Sequence, residues 1–571
     1  MGIESRQAPA HGAARVVRIS FLIVCLMSGA IGLLWTVTFM TNDDTNMAAF
    51  ASGDYTGHPS AHLVFVSAPL GLLLAALHSV VQGVPWYALM LISIDICSAS
   101  VLVAIAYARR NQLGERGQLA VIVLALVGLP IVLLRPSFTV AAIVLCTTGI
   151  IMLAAAVRSA SHARLLIQFG SICVGIGAMV RFDSFMGVVA VFLPFIAIVG
   201  RSLGWRRSLT ALAIVTALLA VSSLSDRVLN SSSDWSSYIK FNEVRGQLSE
   251  STDFQRAMAH PTDPSVAKVL RDIKWSDDDV VLFNSWLFYD QTVYSTAHLS
   301  ELTSLVSGTS YNAPISDSAL LVLRSQRPLW VLVVSLGIAA AGNRQWRNWV
   351  LMLVQLSWCA AVFSFIAASQ RFPDRISIPL YLALGIVLIL GVPIASNSPG
   401  ARSRGPLNRK SAALGALLVG SVLVGFHLAA DGYAPWDVSR ANQAAIAAYR
   451  DQREVLKRVD PVGRFLCLGS VLTIEGTDAL ATTSGYRSNS VLCTGWPTGG
   501  PSFAQRRSAL GSTPLMLDTL VSDNHFFLVL YPFQVPVVER LYLRYMAQDV
   551  SLDEVGRLAN GGIVCRVRAS T

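Results

Sequence analysis

Charge is what this chain has least of. Only 14% of its 571 residues are Asp, Glu, Lys or Arg, while 53% are apolar, a balance that excludes an ordinary soluble enzyme held by one anchor. No P-loop and no Gly-rich dinucleotide-binding element is present, so the usual motifs for handling nucleotides and nucleotide sugars are missing. The eight cysteines show no Cys/His spacing suited to zinc. Internal repeats are absent, and the basic linker Ser398–Lys410 is the one biased tract. The start MGIESR lacks a myristoylation signal, because Arg6 stands where Ser or Thr is wanted.

What fills the chain instead is a series of apolar runs. A spanning helix needs about 20 such residues, and candidates lie near 19–40, 86–108, 119–135, 138–157, 165–181, 185–200, 208–225, 328–343, 349–368, 376–395 and 411–430. The reading is a polytopic all-α membrane domain of about eleven helices. The first run is too long for a signal-peptide core and lacks a small-residue cleavage site, so it is read as a retained helix. The net charge of +10 sits in short clusters between the runs, as cytoplasmic membrane loops require, and this argues against nucleic acid as a partner.

Segment 62–84 decides the topology. It is apolar but interrupted by Pro69, Gly71, His78 and Gly83. If it lies in the outer interface rather than spanning, then Arg109/Arg110/Arg116, Arg158/Arg164, Arg201/Arg206/Arg207, Arg344/Arg347 and Arg402/Arg404/Arg409/Lys410 all fall in the cytoplasm. The expected arrangement has a cytoplasmic N-terminus, outer loops at 41–85 and 226–316, a membrane domain over 1–430 and an extracytoplasmic α/β domain over 431–571. In that tail, 440–459 and Pro536–Ala547 have helical spacing, while Arg464–Leu468, Phe526–Tyr531 and Gly562–Val567 read as strands. Cys25, Cys97, Cys146, Cys173 and Cys359 fall in expected helices; two of Cys467, Cys493 and Cys565 can pair in an oxidising compartment.

With that topology, the informative residues are outward charges at helix ends. Asp43 and Asp44 follow the first run directly. Carboxylates at a water–membrane boundary can serve as proton acceptors or hold a hard cation; a plain helix cap is the structural alternative. Arg135, Arg181, Arg371 and Arg375 stand at short outer turns, where guanidinium groups at headgroup depth suit phosphate; snorkelling or local ion pairs are the alternative. His58 and His62 suit a donor phosphate or sugar better than a metal, since two histidines lack a third ligand. Asp54, Tyr55, Asp183, Asn242, Arg245, Trp286 and Asp290 complete the substrate-contact candidates; in the large outer loop, aromatics mixed with acids and amides suit sugar rings or an interfacial belt. Asp95 sits inside a predicted span and needs a partner or a cavity.

The acid pair after the first helix, Gly57-His58-Pro59 leading into APLGLLLAAL (68–77), the outward arginines, the long outer loop and the exported tail together resemble the GT-C superfamily of membrane glycosyltransferases. In layout the chain is similar to bacterial arabinofuranosyltransferases and GtrII-like glucosyltransferases. The resemblance covers residues 19–430 as architecture and implies a GT-C-like fold located in a bacterial inner membrane. It implies inverting transfer of a sugar from a polyprenyl-phosphate donor to an envelope glycan or glycolipid acceptor, in some members with Mg2+ or Mn2+. Asp43 or Asp44 would then be the base, or hold that metal, and Arg135, Arg181, Arg371 and Arg375 would face the leaving phosphate. Asp183 stands where such enzymes carry Glu, and Asp374 precedes Arg375 where Gly is usual. The competing reading is a transporter or flippase for a polar or lipid-linked substrate, suggested by Asp95; against it stand the missing two-half repetition and the exported domain.

Overall fold

A computed structural model describes residues 10–570 except 110–123, 125–127, 160, 252–253, 255–263, 289, 291, 309–345, 370–372, 392–433, 482–489 and 513–515. The chain begins with α1 (Ala10–Leu34), α2 (Asn42–Ser52), α3 (Ala68–Val80), α4 (Trp86–Ala108), α5 (Phe138–Ala156), α6 (Ala163–Val180), α7 (Phe182–Leu203) and α8 (Trp205–Leu229). Shorter helices α9 (Ser233–Glu250), α10 (Pro264–Asp272), α11 (Asp277–Asn284) and α12 (Thr296–Gly308) precede α13 (Trp346–Ser369) and α14 (Asp374–Ile386), the last prolonged by a π-turn over Val387–Gly391. Eight helices among the described residues are long and apolar enough to cross a membrane: α1, α4 to α8, α13, and α14 with its π-turn. The expected runs at 328–343 and 411–430 lie outside the described residues; of 119–135, residues 128–134 are helical.

Two segments depart from the pattern read in the sequence. The first helix ends at Leu34 instead of continuing to 40, because residues 36–40 pair sideways. Thr38 N–H donates to Leu134 O at 3.2 Å, Met40 N–H to Pro136 O at 3.4 Å, and Ala479 N–H to Val37 O at 3.1 Å. The β-branched Thr36, Val37 and Thr38 suit that extended backbone. The stretch expected as outer loop 41–85 is mostly helical. Within it α3 has 13 residues, about 20 Å of rise, too short to cross a bilayer core alone. Its first N–H, on Ala68, is capped by Asp226 Oδ1 of α8 at 2.6 Å.

The membrane-type core is tight where small residues meet. A Cβ on Gly149 of α5 would stand 2.4 Å from Gly170 O of α6, so both helices approach through glycine.

The tail is a mixed α/β domain, with α15 (Pro435–Val459), β1 (Arg464–Cys467), β2 (Val491–Cys493), α16 (Pro501–Ala509), α17 (Met516–Ser522), β3 (Phe526–Leu530), α18 (Val535–Met546), β4 (Val550–Arg557) and β5 (Ile563–Ala569). The sheet order is β2-β1-β3-β5-β4, with β1 parallel to β2 and β3, and β5 antiparallel to β3 and β4. Alternation sends Phe465, Cys467, Phe527 and Val529 to one face, against Leu456 of α15. Leu466, Phe526, Leu528 and Leu530 go to the other, where they share a core with Leu248, Trp275, Phe283 and Leu299 of the large loop. The described part of the segment expected as an outer loop at 226–316 is therefore helical and packs on the tail sheet. Arg540 and Arg544 of α18 pair with Asp278 and Asp279 of α11, at 2.6 and 2.8 Å. All eight cysteines are free thiols, and Cys467 and Cys493 face each other in register on neighbouring strands.

Candidate active site

The site is built on the end of α1, the start of α2 and the segments packed around them. Thr41 caps α2: its Oγ1 accepts from Asp44 N–H at 3.4 Å and donates to Asp44 Oδ2 at 2.8 Å. Two acids in the first turn suit the positive end of the helix. The helix closes at Gly53, in the left-handed region at φ 84, where a Cβ would stand 2.4 Å from the backbone carbon of His58. Every residue from Asp44 to Ala51 is buried.

The two acids face different surroundings. Asp44 is fully buried and accepts three hydrogen bonds: from Thr41 Oγ1, from Tyr87 OH at 3.0 Å and from Phe138 N–H at 3.0 Å. It therefore ties together the starts of α2, α4 and α5, and burial pushes its carboxyl up to about 6. The cap of α2 is Thr41 rather than either acid, and Asp44 instead accepts the first N–H of α5. Asp43 turns the other way and meets Arg375 at 3.2 Å, with its side chain 16% exposed. Burial raises its pKa, while the guanidinium groups of Arg375, Arg181 and Arg245, in that order, pull it back down.

Each arginine comes from a separate element and is held by its own neighbours. Arg375, in the first turn of α14, also reaches Glu250 at 3.9 Å, and its Nε is buried with no hydrogen-bond partner among the described residues. Arg181, between α6 and α7, donates to Thr139 Oγ1 at 3.0 Å and lies 4.6 Å above the Phe138 ring. Its contact with Asp183 is a loose 4.0 Å, and the Asp183 side chain is 84% exposed. Arg245 of α9 is buried; Asn242 Oδ1 accepts from its Nε at 3.3 Å and from its second terminal nitrogen at 2.8 Å, and the guanidinium lies 4.4 Å from the Trp286 ring centre. Trp286 reaches that place at a cost. Its φ is 60, and its N–H and that of Leu287 close onto Phe283 O and Leu282 O, a Schellman ending of α11 with Trp where Gly is usual.

Asp43, Arg181, Arg245, Arg375, Asn242 and Trp286 thus come together, with three guanidinium groups against Asp43 and Glu250. Other residues singled out in the sequence stand elsewhere. Arg135 Nε donates to Asn442 Oδ1 of α15 at 3.0 Å, while Asn442 Nδ2 donates to Thr36 O and Leu134 O at 2.8 and 3.0 Å. That arrangement sews the tail to the membrane domain. His58 is exposed on a turn, and His62 stacks on Trp235 at 3.9 Å, with no helix to align the two. Tyr55 packs edge-on against Phe50 at 4.5 Å, and Asp54 lines a cleft between α2 and α15. Asp290 accepts from Thr292 N–H and Oγ1, both at 2.7 Å, as a turn residue. Arg371 lies outside the described residues. Asp44 accepts three donors and Asp43 is paired with Arg375, and no group of three or more His, Cys, Asp or Glu suited to a metal occurs among the described residues.

Three contributors were not visible in the sequence. Glu250 and Thr139 carry no motif. Trp496 comes from the tail and packs edge-on against Phe50 and Phe65, at 5.4 and 5.1 Å.

No protein-family model and no curated protein matches the chain. Among solved structures it is similar to ArnT from Cupriavidus metallidurans bound to undecaprenyl phosphate, with 11% identity, 98% of each chain covered and a TM-score of 0.39. The apo form of the same protein aligns over 98% of each chain with 13% identity and a TM-score of 0.38.

Proposed function

We propose that the protein is a membrane glycosyltransferase of the GT-C type, moving a sugar from a polyprenyl-phosphate donor to a glycan or glycolipid acceptor hydroxyl at the outer face of a bacterial inner membrane. The observation that carries the reading is Asp43 facing three guanidinium groups from α9, α14 and the α6–α7 turn. The three cations stand against Asp43 and Glu250, while Asp183 on Arg181 is largely exposed to water, and guanidinium groups bind phosphate oxygens strongly where water is scarce. A donor phosphate competing for Arg375 frees Asp43 from its ion pair. Released, the half-buried carboxylate has raised basicity. Asp43 then takes the acceptor hydroxyl proton as the oxygen attacks the anomeric carbon; the sugar–phosphate C–O bond breaks, its electron pair leaves with the polyprenyl phosphate, and Arg375 and Arg181 balance the growing charge. Arg245, backed by Asn242 and stacked on Trp286, orients the sugar.

The test is transfer by purified protein in nanodiscs, supplied with a panel of polyprenyl-phosphate sugars and envelope acceptors. Asp43→Asn is expected to lower kcat by about 10²–10⁴-fold, with melting temperature near wild type. Full activity in Asp43→Asn overturns the base assignment.

A second reading, transport of a polar or lipid-linked substrate, is favoured by Asp95. Its two carboxyl oxygens are buried in α4 without a hydrogen-bond partner among the described residues, beside an apolar cavity of about 120 Å3. In proteoliposomes, flux of a labelled lipid-linked sugar that Asp95→Asn abolishes and Asp43→Asn leaves intact supports transport. Absence of flux in wild type removes it.

A further inference from the structure

A cavity of about 510 Å3 opens between the first half of α9 and the turn that leads into α16, a volume in the range of small-molecule sites. It is a built cavity. Gly500 lies flat on Tyr238, where a Cβ would stand 2.9 Å from the ring, and Tyr238 OH donates to Trp496 O at 2.7 Å. Tyr238, Phe241 and Phe288 give it an aromatic floor, while Ser233, Asp234 and Ser237 supply polar groups at the rim. Among the described residues no Lys, Arg or His lines it, so the guanidinium groups of the arginine cluster have no counterpart there. Aromatic faces beside hydroxyls and one carboxylate match a neutral sugar, whose C–H face stacks on rings while its hydroxyls take hydrogen bonds.

The cavity also has a physical connection to Asp43. Along α9, Asp234, Tyr238, Phe241 and Arg245 recur at steps of four, three and four residues, with Ser237 four before Phe241, which puts them on one helix face. Phe241 meets Phe288 edge-on at 5.3 Å, Phe288 is 6.3 Å from Trp286, and Trp286 carries Arg245. A ligand seated on Phe241 and Phe288 is therefore separated from the charge cluster by a single aromatic wall.

We propose that this cavity is an acceptor subsite: it holds a neutral saccharide unit of the acceptor on the far side of the Phe288 and Trp286 rings from the unit whose hydroxyl is presented to Asp43. The assignment rests on the transferase reading for its role, but not for its binding. Saturation-transfer NMR on the full-length protein in nanodiscs, with a panel of arabino-, galacto-, gluco- and mannotetraoses, measures the binding alone. At least one tetraose is expected to receive saturation from wild type and from Asp43→Asn. Ser237→Trp, a change at an exposed rim position, is expected to abolish the signal, and Phe241→Leu, which keeps apolar volume but removes the ring, to reduce it at least fivefold. In the transfer assay Ser237→Trp is expected to raise the acceptor KM about tenfold, a loss of roughly 1.4 kcal/mol of binding, while leaving acceptor-independent donor hydrolysis unchanged. No saturation of any tetraose on wild type, or full signal in Ser237→Trp, overturns the proposal. Saccharide binding that behaves as expected while Asp43→Asn transfers normally leaves the subsite standing and removes the base assignment instead.

Discussion

Asp43 and Asp44 are adjacent in the chain, yet substitution at each has a different meaning. Asp44 holds Tyr87, Thr41 and the Phe138 amide, so Asp44→Ala strands buried donors at roughly 1–3 kcal/mol each and is expected to lower the melting temperature sharply. Asp44→Asn keeps a carbonyl acceptor and the shape of the side chain. Its effect is expected in the pH profile. The folded carboxyl, pushed up to about 6, holds its proton more tightly than an unfolded Asp near pH 4 does, so the native state gains stability below that pH and loses it as pH rises toward 6. Thermal melts across that window are expected to fall with rising pH in wild type and to be flatter in Asp44→Asn; equal slopes defeat this reading. Of the cluster, Asp43, Arg181 and Arg375 were legible in the sequence because positive-inside topology leaves outward charges unexplained. Topology assigns a layer but not a neighbour. It therefore grouped Arg135 with them, though Asn442 draws it to the tail joint, and it could not separate Asp43 from Asp44, whose difference is a matter of which way a helix turn faces.

Hydropathy exposes long spans well and short buried helices badly. The apolar runs expected at 86–108, 138–157, 165–181, 185–200 and 208–225 are helices within a few residues of those limits. α2 was hidden because Asp44 to Ala51 are buried on all sides, leaving no amphipathic period to read; its visible signals were Thr41 before and Gly53 after. Strand β2 has three residues and β4 alternates weakly through Asp553 and Glu554, so neither rose above the loops. The close of α2 is testable. Gly53→Ala forces a left-handed φ on Ala and a clash with the His58 backbone, expected to cost about 1–3 kcal/mol and to lower transfer by disturbing the helix that carries Asp43. A melt and activity indistinguishable from wild type contradict this. The same geometry at Trp286 carries strain toward the site, since only a ring there stacks on Arg245.

The membrane domain and the tail meet around one short extended segment. Thr36 is bonded on its N–H by Ser439 Oγ, on its carbonyl by Asn442 and on its hydroxyl by Gln443, six residues before the turn that carries Asp43. The tail also sends Trp496 into the membrane-domain core and accepts the large loop on its sheet. These contacts put the tail and the Asp43 end of the spans on the same side of the membrane, whichever side that is. We propose the outer side for both, which leaves the basic clusters inside. Single cysteines introduced as Gly114→Cys, Gly400→Cys and Ser570→Cys in intact cells, with all eight native cysteines replaced, are expected to react with an impermeant maleimide only at 570. Labelling at 114 with protection at 570 inverts the molecule. An arginine cluster on the cytoplasmic face would then meet cytoplasmic phosphates, and an exported acceptor glycan would have no access to Asp43. Because the tail is bonded to the segment leading into the site, the outcome at Ser570→Cys carries over to Asp43, and a helix-count parity change in the undescribed stretches cannot separate the two.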